Sequence, residues 1–201
     1  MGRALLEAVA LDAGCVLHGA LDRAGHASVG QDASLLGGTR GVVITDSLEG
    51  ALRGADVLVD FTRPEATLQY LDACRRAKVN LIIGTTGFDA NGKAAIEHAA
   101  REIGIVFAPN FSVGVNLLMK LAETASRVLN EGYDIEIIEA HHRHKVDAPS
   151  GTALGIGQAV AGVMGRDLKT CAIYGREGLT GERKPENAPM TTRPVTPSAS
   201  I

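Results

Sequence analysis

The sequence predicts an α/β fold in which helices cover a parallel β-sheet. Short apolar runs alternate along the chain with segments whose apolar residues recur at helical spacing, and this alternation is typical of strand–helix–strand units. Glycine is frequent, with 24 residues, whereas aromatic residues make up only 3% of the chain. That composition favours tight strand-to-helix turns over an all-β sandwich. With 45% of its 201 residues hydrophobic, the chain is able to bury a core.

Apolar periodicity assigns the individual elements. The predicted strands are CVLHGALD (15–22), GVVIT (41–45), DVLVDFT (56–62), NLIIGTT (80–86), GIVFAPN (104–110) and DIEIIEAHH (134–142), with a weaker one at CAIYG (171–175). The predicted helices are RALLEAVALDA (3–13), PEATLQYLDACRRA (64–77), ANGKAAIEHAAREI (90–103), NLLMKLAETASRVL (116–129) and TALGIGQAVAGVM (152–164). Pro64 stands in the first turn of its helix, where proline is favoured.

Charge and cysteine content narrow the function classes. A net charge of −3 and a pI near 6.1 give no indication of binding to nucleic acid or to an anionic membrane. No apolar stretch is long enough to span a bilayer. Cys15, Cys74 and Cys171 are odd in number and far apart, which favours buried thiols in a reducing compartment over disulfides or a zinc site. The cytoplasm is therefore the expected location.

Polar segments follow three of the predicted strands, at DFTRP (60–64), GTTGF (84–88) and APNFSVG (108–114). In parallel sheets ligands bind beyond the carboxyl ends of the strands, so the three segments together indicate a ligand site. Each of them alone is equally well explained as a turn that needs glycine or threonine.

An acid and an arginine, Asp22 and Arg23, end the first predicted strand. In dinucleotide-binding sheets an acid at such a position binds the adenosine ribose, and a nearby arginine accommodates a 2′-phosphate. A solvent-exposed ion pair at a strand end is the alternative.

The sequence at both ends of the chain differs from the pattern expected for a doubly wound sheet. The sequence opens on a helix, without a preceding strand and glycine-rich phosphate loop. From Lys184 onward there are four prolines in eighteen residues and no periodicity, so residues 184–201 are expected to be disordered, with order ending near Glu182.

Five consecutive side chains that can carry positive charge form the segment HHRHK (141–145). If the strand continues through them, His141, Arg143 and Lys145 share one face, with His142 and His144 on the other. His141 and Lys145 are then about 13 Å apart. Serving one small ligand therefore requires a bend, which Asp147-Ala148-Pro149 is able to supply.

The same segment leads into a helix start at Ser150-Gly151-Thr152, where free N–H groups and the helix dipole favour a carboxylate. Together the two features predict a site for a small dicarboxylate, with Lys145 able to move a proton. A metal site formed by the three histidines lacks the usual ligand spacing. A solvated basic stretch and a protein-binding patch remain as alternatives.

The segment EAHHRHKVDAPSGTA (139–153) resembles the signature of the 4-hydroxy-tetrahydrodipicolinate reductases, NAD(P)H-dependent enzymes of the diaminopimelate route to lysine. DFTRP, GTTGF, NFSVGVN (110–116) and GREGLTGER (175–183) resemble that family in the same order. The resemblance covers residues 1 to about 183. It implies that the chain reduces 4-hydroxy-tetrahydrodipicolinate to tetrahydrodipicolinate with NADH or NADPH, and that it forms a homotetramer.

The resemblance also implies domains and individual roles. Residues 1–111 would form a Rossmann-like dinucleotide-binding domain lacking its first strand, residues 112–183 a partial α+β substrate-binding and oligomerisation domain, and residues 184–201 a tail outside the family. His141 would be the proton donor or acceptor at the reacting ring and Lys145 a second proton donor. His142, Gly151 and Thr152 would hold the substrate carboxylates. The implied cofactor-binding residues are Met1, Asp22, Arg23, Gly84, Thr85, Thr86, Ala108, Pro109, Asn110 and Phe111.

Two departures from the family pattern concern the chain ends. The family begins with a strand and G-x-x-G-x-M-G-R, of which only Met1-Gly2-Arg3 correspond here, and KPENAPMTTRPVTPSASI (184–201) does not resemble the family's end. We therefore expect a chain truncated at both ends, with weak or absent activity. The competing hypotheses are a non-catalytic relic that binds a dicarboxylate or a full-length subunit, and another nicotinamide-dependent enzyme of lysine or aspartate metabolism.

Overall fold

The computed structural model describes residues 1–129, 132–141, 143, 148–175, 179, 181 and 190–195. The chain divides into two compact units, Met1–Ala108 and Pro109–Ile201. The first unit contains five strands and four α-helices among these residues, and each unit has its own apolar core.

The first unit begins with α1 (Gly2–Leu11), none of whose residues is buried. Strand β1 (Ala20–Leu21) then pairs in parallel with β2 (Ile44–Thr45), and α2 (Leu48–Leu52) follows, its N-terminus capped by the Ser47 side chain. The strand predicted at 15–22 is thus reduced to two residues. Among the described residues, Ile44 and Thr45 are the ones that pair with β1, whereas the Val42 backbone oxygen accepts from Ala33 N on the other side.

A second sheet in this unit contains three parallel strands in the order β3–β4–β5. These are β3 (Val57–Asp60), β4 (Asn80–Ile83) and β5 (Ile105–Phe107), and the helices α3 (Pro64–Ala77) and α4 (Ala90–Ala99) connect them. This confirms the predicted strand–helix–strand order. The single predicted sheet is, however, present as two parallel sheets, because no backbone ladder joins β1 or β2 to β3 in the described part of the chain.

The core of the first unit lies between the three-stranded sheet and its helices. Helix α3 begins with Pro64 and ends at Lys78, whose backbone is left-handed with φ 57°. Glu65 in its first turn and Arg75 and Arg76 in its last turn complement the helix dipole. The buried core residues are Leu52, Leu71, Ala73, Cys74, Val79, Leu81, Ile83, Phe88, Ile96, Ala99 and Ile103.

The second unit packs helices against another three-stranded parallel sheet, ordered β6–β8–β7. Serine hydroxyls cap both of its long helices: Ser112 accepts a hydrogen bond from Val115 N at 3.4 Å, and Ser150 accepts one from Ala153 N at 3.0 Å. Its elements are α5 (Val113–Val128), β6 (Glu136–Ala140), α6 (Gly151–Val163), α7 (Leu168–Cys171), β7 (Ala172–Ile173) and β8 (Met190–Val195).

Strand β8 corrects the expectation of disorder from residue 184 onward. Residues 190–195 pair with β6 along five positions and with β7 along two. The proline count predicted disorder, but this stretch also contains β-branched Thr191, Thr192 and Val195, which favour extended backbone. The expectation for the remainder of 184–201 concerns residues outside those described.

Three further differences concern single residues. Strand β6 ends at Ala140 and Arg143 lies in a turn, so the strand does not continue through His141 and Arg143 as predicted, whereas residues 142, 144 and 145 lie outside those described. Cys74 and Cys171 are buried as expected, but Cys15 is exposed. Among the helices of the described residues, none is long and apolar enough to cross a bilayer.

Candidate active site

The three strands of the larger sheet in the first unit end level with one another. Asp60 pairs with Ile83, and Ile83 pairs with Phe107. Gly84 N then donates to Asp60 O at 2.8 Å, and Ala108 N donates to Ile83 O at 3.2 Å. The segments that follow the strands therefore begin at one edge, which is where open parallel sheets bind their ligands.

Asp60 joins two of these segments through its buried carboxylate, which is only 1% exposed. Its Oδ1 accepts hydrogen bonds from Thr62 N at 3.0 Å and Thr62 Oγ1 at 2.6 Å, while its Oδ2 accepts from Thr67 Oγ1 and, at 3.4 Å, from Thr85 Oγ1. Thr62 N also donates to Thr85 Oγ1 at 2.9 Å. The carboxylate thus fixes the DFTRP and GTTGF segments to each other, a function that sequence reasoning did not assign to it.

The three residues predicted to bind the cofactor after β4 differ in accessibility. Thr85 is 3% exposed and its hydroxyl is used by Asp60 and Thr62, whereas Thr86 is exposed. Gly84 is partly buried, and a methyl group on it would overlap the ring of Phe61. Of these three residues, Thr86 is therefore the one whose side chain a ligand can reach, and Thr85 holds the loop.

Asp22 lies at the end of β1, where its carboxylate has three neighbours. Its Oδ1 accepts from Arg23 N at 2.8 Å, and its Oδ2 accepts from Ser28 Oγ at 2.6 Å and lies 2.8 Å from His26 Nδ1. Burial acts to raise the pKa of Asp22, but the hydrogen bonds from Ser28 and Arg23 and the charges of His26 and Arg23 outweigh it and hold the pKa below its ordinary value. The sequence indicated Asp22 and Arg23 but not His26 or Ser28.

In the second unit, Asn110 connects two groups of predicted site residues. Its Nδ2 donates to Thr152 Oγ1 at 3.2 Å, and its Oδ1 accepts from Ser112 N at 2.8 Å. Asn116 Nδ2 donates to the Asn110 backbone oxygen at 3.1 Å. A residue predicted to bind cofactor is thus hydrogen-bonded to one predicted to bind substrate, with exposed Pro109 and Phe111 on either side of it in the chain.

His141 is held by a carboxylate that the sequence did not indicate as part of the site. Glu139 Oε2 lies 2.9 Å from His141 Nε2, and Glu139 Oε1 accepts from Ser150 N at 2.8 Å. Glu139 shares the less exposed face of β6 with Ile137, which packs on the core of this unit. Its side chain is 10% exposed, and that of His141 is 36% exposed.

The electrostatics of this pair favour a charged carboxylate. Burial acts to raise the pKa of Glu139, but the hydrogen bonds from Ser150 and His141 together with the charge of His141 lower it below its ordinary value. The ionised carboxylate accepts a hydrogen bond from an N–H group of the imidazole and fixes its orientation. The arrangement therefore suits an acid that gives a proton to a bound molecule.

The start of α6 is open next to this pair. Among the described residues, Gly151 N and Thr152 N have no hydrogen-bond acceptor, and a methyl group on Gly151 would meet nothing within 4 Å. Free N–H groups at a helix start bind anions, and glycine lets a ligand approach the backbone closely. Two other predicted site residues, His142 and Lys145, lie outside the described residues.

Comparison with known proteins identifies the family to which the chain belongs. The family model described as "Dihydrodipicolinate reductase, N-terminus" matches residues 1–111, and that described as "Dihydrodipicolinate reductase, C-terminus" matches residues 114–194. The chain belongs to the dihydrodipicolinate reductase family. The match extends past residue 183, so the expectation that the family pattern ends there is wrong, and all of β8 except Val195 lies within the matched region.

Individual relatives agree with this assignment. The chain is 71% identical over 186 residues to the 4-hydroxy-tetrahydrodipicolinate reductase of Laribacter hongkongensis, covering 92% of this chain and 70% of the relative. For the enzymes of the same name from Thiobacillus denitrificans and Neisseria meningitidis serogroup B the identities are 66% and 58%, each over 96% of this chain and 72% of the relative. A dipicolinate-bound dihydrodipicolinate reductase from Paenisporosarcina sp. TG-14 is 26% identical with a TM-score of 0.67, over 98% of this chain and 76% of that one.

These comparisons confirm the recognised family, the α/β fold with a Rossmann-like N-terminal domain, and the oxidoreductase class. Membership of a reductase family with such a domain implies a nicotinamide cofactor. The residues at hand fit parts of that group: the Asp22 carboxylate is an acceptor at a strand end where ribose hydroxyls bind, and Thr86 is an accessible hydroxyl at the edge of the larger sheet.

Proposed function

We propose that this chain reduces 4-hydroxy-tetrahydrodipicolinate to tetrahydrodipicolinate, using NADH or NADPH, in the diaminopimelate route to lysine. The observation that carries the proposal is the position of Glu139, which holds His141 next to the open start of α6. A proton donor and an anion-binding helix start then lie on one short stretch of chain. The reaction needs both, because its substrate is a cyclic dianion that is reduced and protonated.

Recognition of the substrate is assigned to the start of α6. One carboxylate would accept hydrogen bonds from Gly151 N and Thr152 N, where the helix dipole contributes about 0.3–1 kcal/mol to binding an anion. The Thr152 hydroxyl is kept in place by Asn110. His142 is proposed to bind the second carboxylate. The dipicolinate bound by the structural neighbour from Paenisporosarcina is a dicarboxylate of the same kind and supports this assignment.

Proton transfer is assigned to His141, with Lys145 as a second donor. His141 is half-buried and held by Glu139 at 2.9 Å, so its imidazole is oriented to pass a proton to a molecule bound next to it. Glu139 itself does not reach the substrate in this scheme. It positions the imidazole, which takes up a new proton from solvent after each turnover.

The nicotinamide, when bound, supplies the hydride. Asp22 would accept hydrogen bonds from the adenosine ribose hydroxyls, with Arg23 placed to contact a 2′-phosphate. Thr86 and the backbone at Gly84 would contact the nicotinamide end, and Met1 and residues 108–111 complete the proposed set. In this scheme residues 1–111 bind the cofactor, and residues 112–183 bind the substrate and form a homotetramer. The cytoplasmic location stays a prediction.

Two measurements on the 201-residue chain test the proposal. Calorimetric titration with pyridine-2,6-dicarboxylate is expected to show saturable binding that weakens when Gly151 is replaced by Val, because the side chain blocks the approach to the helix start. Oxidation of NADH or NADPH in the presence of the substrate separates catalysis from binding alone. Binding without any oxidation would favour a non-catalytic dicarboxylate-binding protein, and no binding at all would contradict the proposed site.

A further inference from the structure

We propose that His26 determines how the chain discriminates between a cofactor with a 2′-hydroxyl and one with a 2′-phosphate. This inference rests on the proposed function, in which Asp22 lies at the adenosine ribose. It goes further by assigning the choice to a residue outside the acid–arginine pair, and by making the choice depend on pH.

The contacts of His26 Nδ1 allow two arrangements. This atom lies 2.8 Å from Asp22 Oδ2, 2.8 Å from Ser28 Oγ and 3.3 Å from Ser28 N. Without a proton, Nδ1 accepts from Ser28 N, and the Ser28 hydroxyl donates to Asp22 Oδ2 at 2.6 Å. With a proton, Nδ1 becomes a donor and Asp22 Oδ2 is the charged acceptor within reach.

The two arrangements present different charges to a ribose. When His26 is neutral, Asp22 keeps its full negative charge, which suits two ribose hydroxyls and repels a 2′-phosphate. When His26 is protonated, its charge offsets that of Asp22, and Arg23 next to it adds a second cation. A phosphate monoester carries a charge of about −1.5 to −2 near pH 7, so the protonated arrangement favours the 2′-phosphate.

Among the described residues, few other charged groups interact with Asp22 and His26. Asp22 and Arg23 flank His26 on its own loop, and Tyr70 of α3 is the group on another element that interacts electrostatically with Asp22 in the described part of the chain. Burial, followed by the charges of Asp60 and Asp22, raises the pKa of Tyr70, so its phenol is uncharged near neutral pH. Histidine is the side-chain type whose charge ordinarily changes between pH 5 and 8, and the imidazole of His26 lies 2.8 Å from Asp22 Oδ2.

The test measures binding rather than turnover. Dissociation constants are determined by calorimetry at pH 6 and pH 8 for NADH, NADPH, 5′-AMP and adenosine 2′,5′-bisphosphate. The proteins are the wild type, H26N and the control H98N. Asn keeps a polar side chain next to Ser28 but cannot become charged. His98 is another exposed histidine near a carboxylate, 3.8 Å from Glu102, so H98N removes a comparable charge elsewhere.

The expected result is that H26N loses affinity selectively for ligands that carry a 2′-phosphate. At pH 6, H26N should bind NADPH and the 2′,5′-bisphosphate roughly threefold to fivefold more weakly than the wild type, the upper part of the range of a partly exposed ion pair. NADH and 5′-AMP should change by less than about twofold, and H98N should match the wild type. At pH 8 the difference between H26N and the wild type should shrink. The phosphate's own titration is common to both proteins and cancels in the comparison.

Separate outcomes distinguish the two proposals. If both cofactors bind the wild type but H26N leaves the NADPH-to-NADH ratio unchanged at both pH values, the assignment to His26 is wrong and the proposed function stands. If neither cofactor nor either fragment binds the wild type, the proposed function and this inference fall together. Circular dichroism checks that H26N is folded, and H26Q provides the same comparison if it is not.

Discussion

Glu139 joins His141 to the first turn of a helix: its two carboxylate oxygens lie 2.9 Å from His141 Nε2 and 2.8 Å from Ser150 N. One side chain therefore orients the proposed acid and anchors the residue that caps the proposed anion site. Because each carboxylate oxygen of Glu139 has its own partner, the effect of losing the negative charge can be measured separately from the effect of losing the hydrogen bonds.

Replacing Glu139 with Gln tests the charge. The amide keeps an acceptor for Ser150 N but removes the negative charge next to His141, so turnover should fall about tenfold and the dependence of kcat on pH should change. The measurement is kcat against pH with saturating substrate. A purely structural function of Glu139 would leave the pH profile where it is in the wild type.

Replacing His141 with Gln removes the proposed proton donor. Turnover should fall by about 10²–10⁴-fold, the usual contribution of a general acid, while pyridine-2,6-dicarboxylate still binds through the start of α6. Steady-state kinetics and calorimetry on the same preparation measure the two effects. The matched control is H98Q, which replaces an exposed histidine on α4. Equal turnover of H141Q and H98Q would show that His141 is not the proton donor.

The lowered pKa of Glu139 predicts a pH-dependent contribution to stability. Because the folded-state pKa lies below that of the unfolded chain, the contribution is complete above the unfolded value of about 4.3 and is lost as the pH falls through the folded value. The difference in free energy of unfolding between the wild type and E139Q should therefore decrease as the pH falls below about pH 4.5. Urea denaturation at each pH measures it, and a difference that grows on acidification would reverse the assigned sign.

Asp60 should be important for stability. Replacing it with Asn puts an amide donor among the hydroxyl and amide donors of Thr62, Thr67 and Thr85, so we expect a loss of roughly 2–4 kcal/mol in the free energy of unfolding. Asp72 provides the control, since it is exposed and paired with Arg76 on the same helix, and D72N should cost less than about 1 kcal/mol. Equal losses for the two variants would mean that burial of the Asp60 carboxylate contributes little.

The three cysteines should react at different rates with a thiol reagent. Burial, with a smaller effect from the charge of Asp60, raises the pKa of the Cys74 thiol to about 11, and Cys171 is also buried, whereas Cys15 is exposed. Ellman's reagent at pH 8 should label one thiol quickly and two only on unfolding, and C15S should abolish the fast phase. Rapid labelling of C15S would show that the core around Cys74 opens readily.

The long helices could be predicted from the sequence because their signals are local. Apolar spacing with Pro64 gave α3 the bounds it has in the structure, and spacing alone placed α5 and α6 within three residues of their observed starts. The strand predicted at 15–22 failed because strand formation depends on a partner segment, and residues 42–44 are partly engaged elsewhere.

The site was predicted only where a motif named its residues. Gly151 and Thr152 do lie at a helix start, as predicted, but Glu139 acts through Ser150, eleven positions away, and Asp60 acts through Thr85, twenty-five positions away. Such contacts depend on tertiary packing, which no local periodicity encodes. His26 was missed for a related reason. A histidine four residues after an acid is ordinary in a loop sequence, and its contact with Asp22, which also accepts from Ser28, is visible only in the structure.

The close approach of Phe61 to Gly84 has an evolutionary consequence. A methyl group at position 84 overlaps the aromatic ring unless that ring moves, so substitutions at the two positions are expected to be coupled. Enlarging residue 84 is expected to cost less in backgrounds where residue 61 has already become smaller.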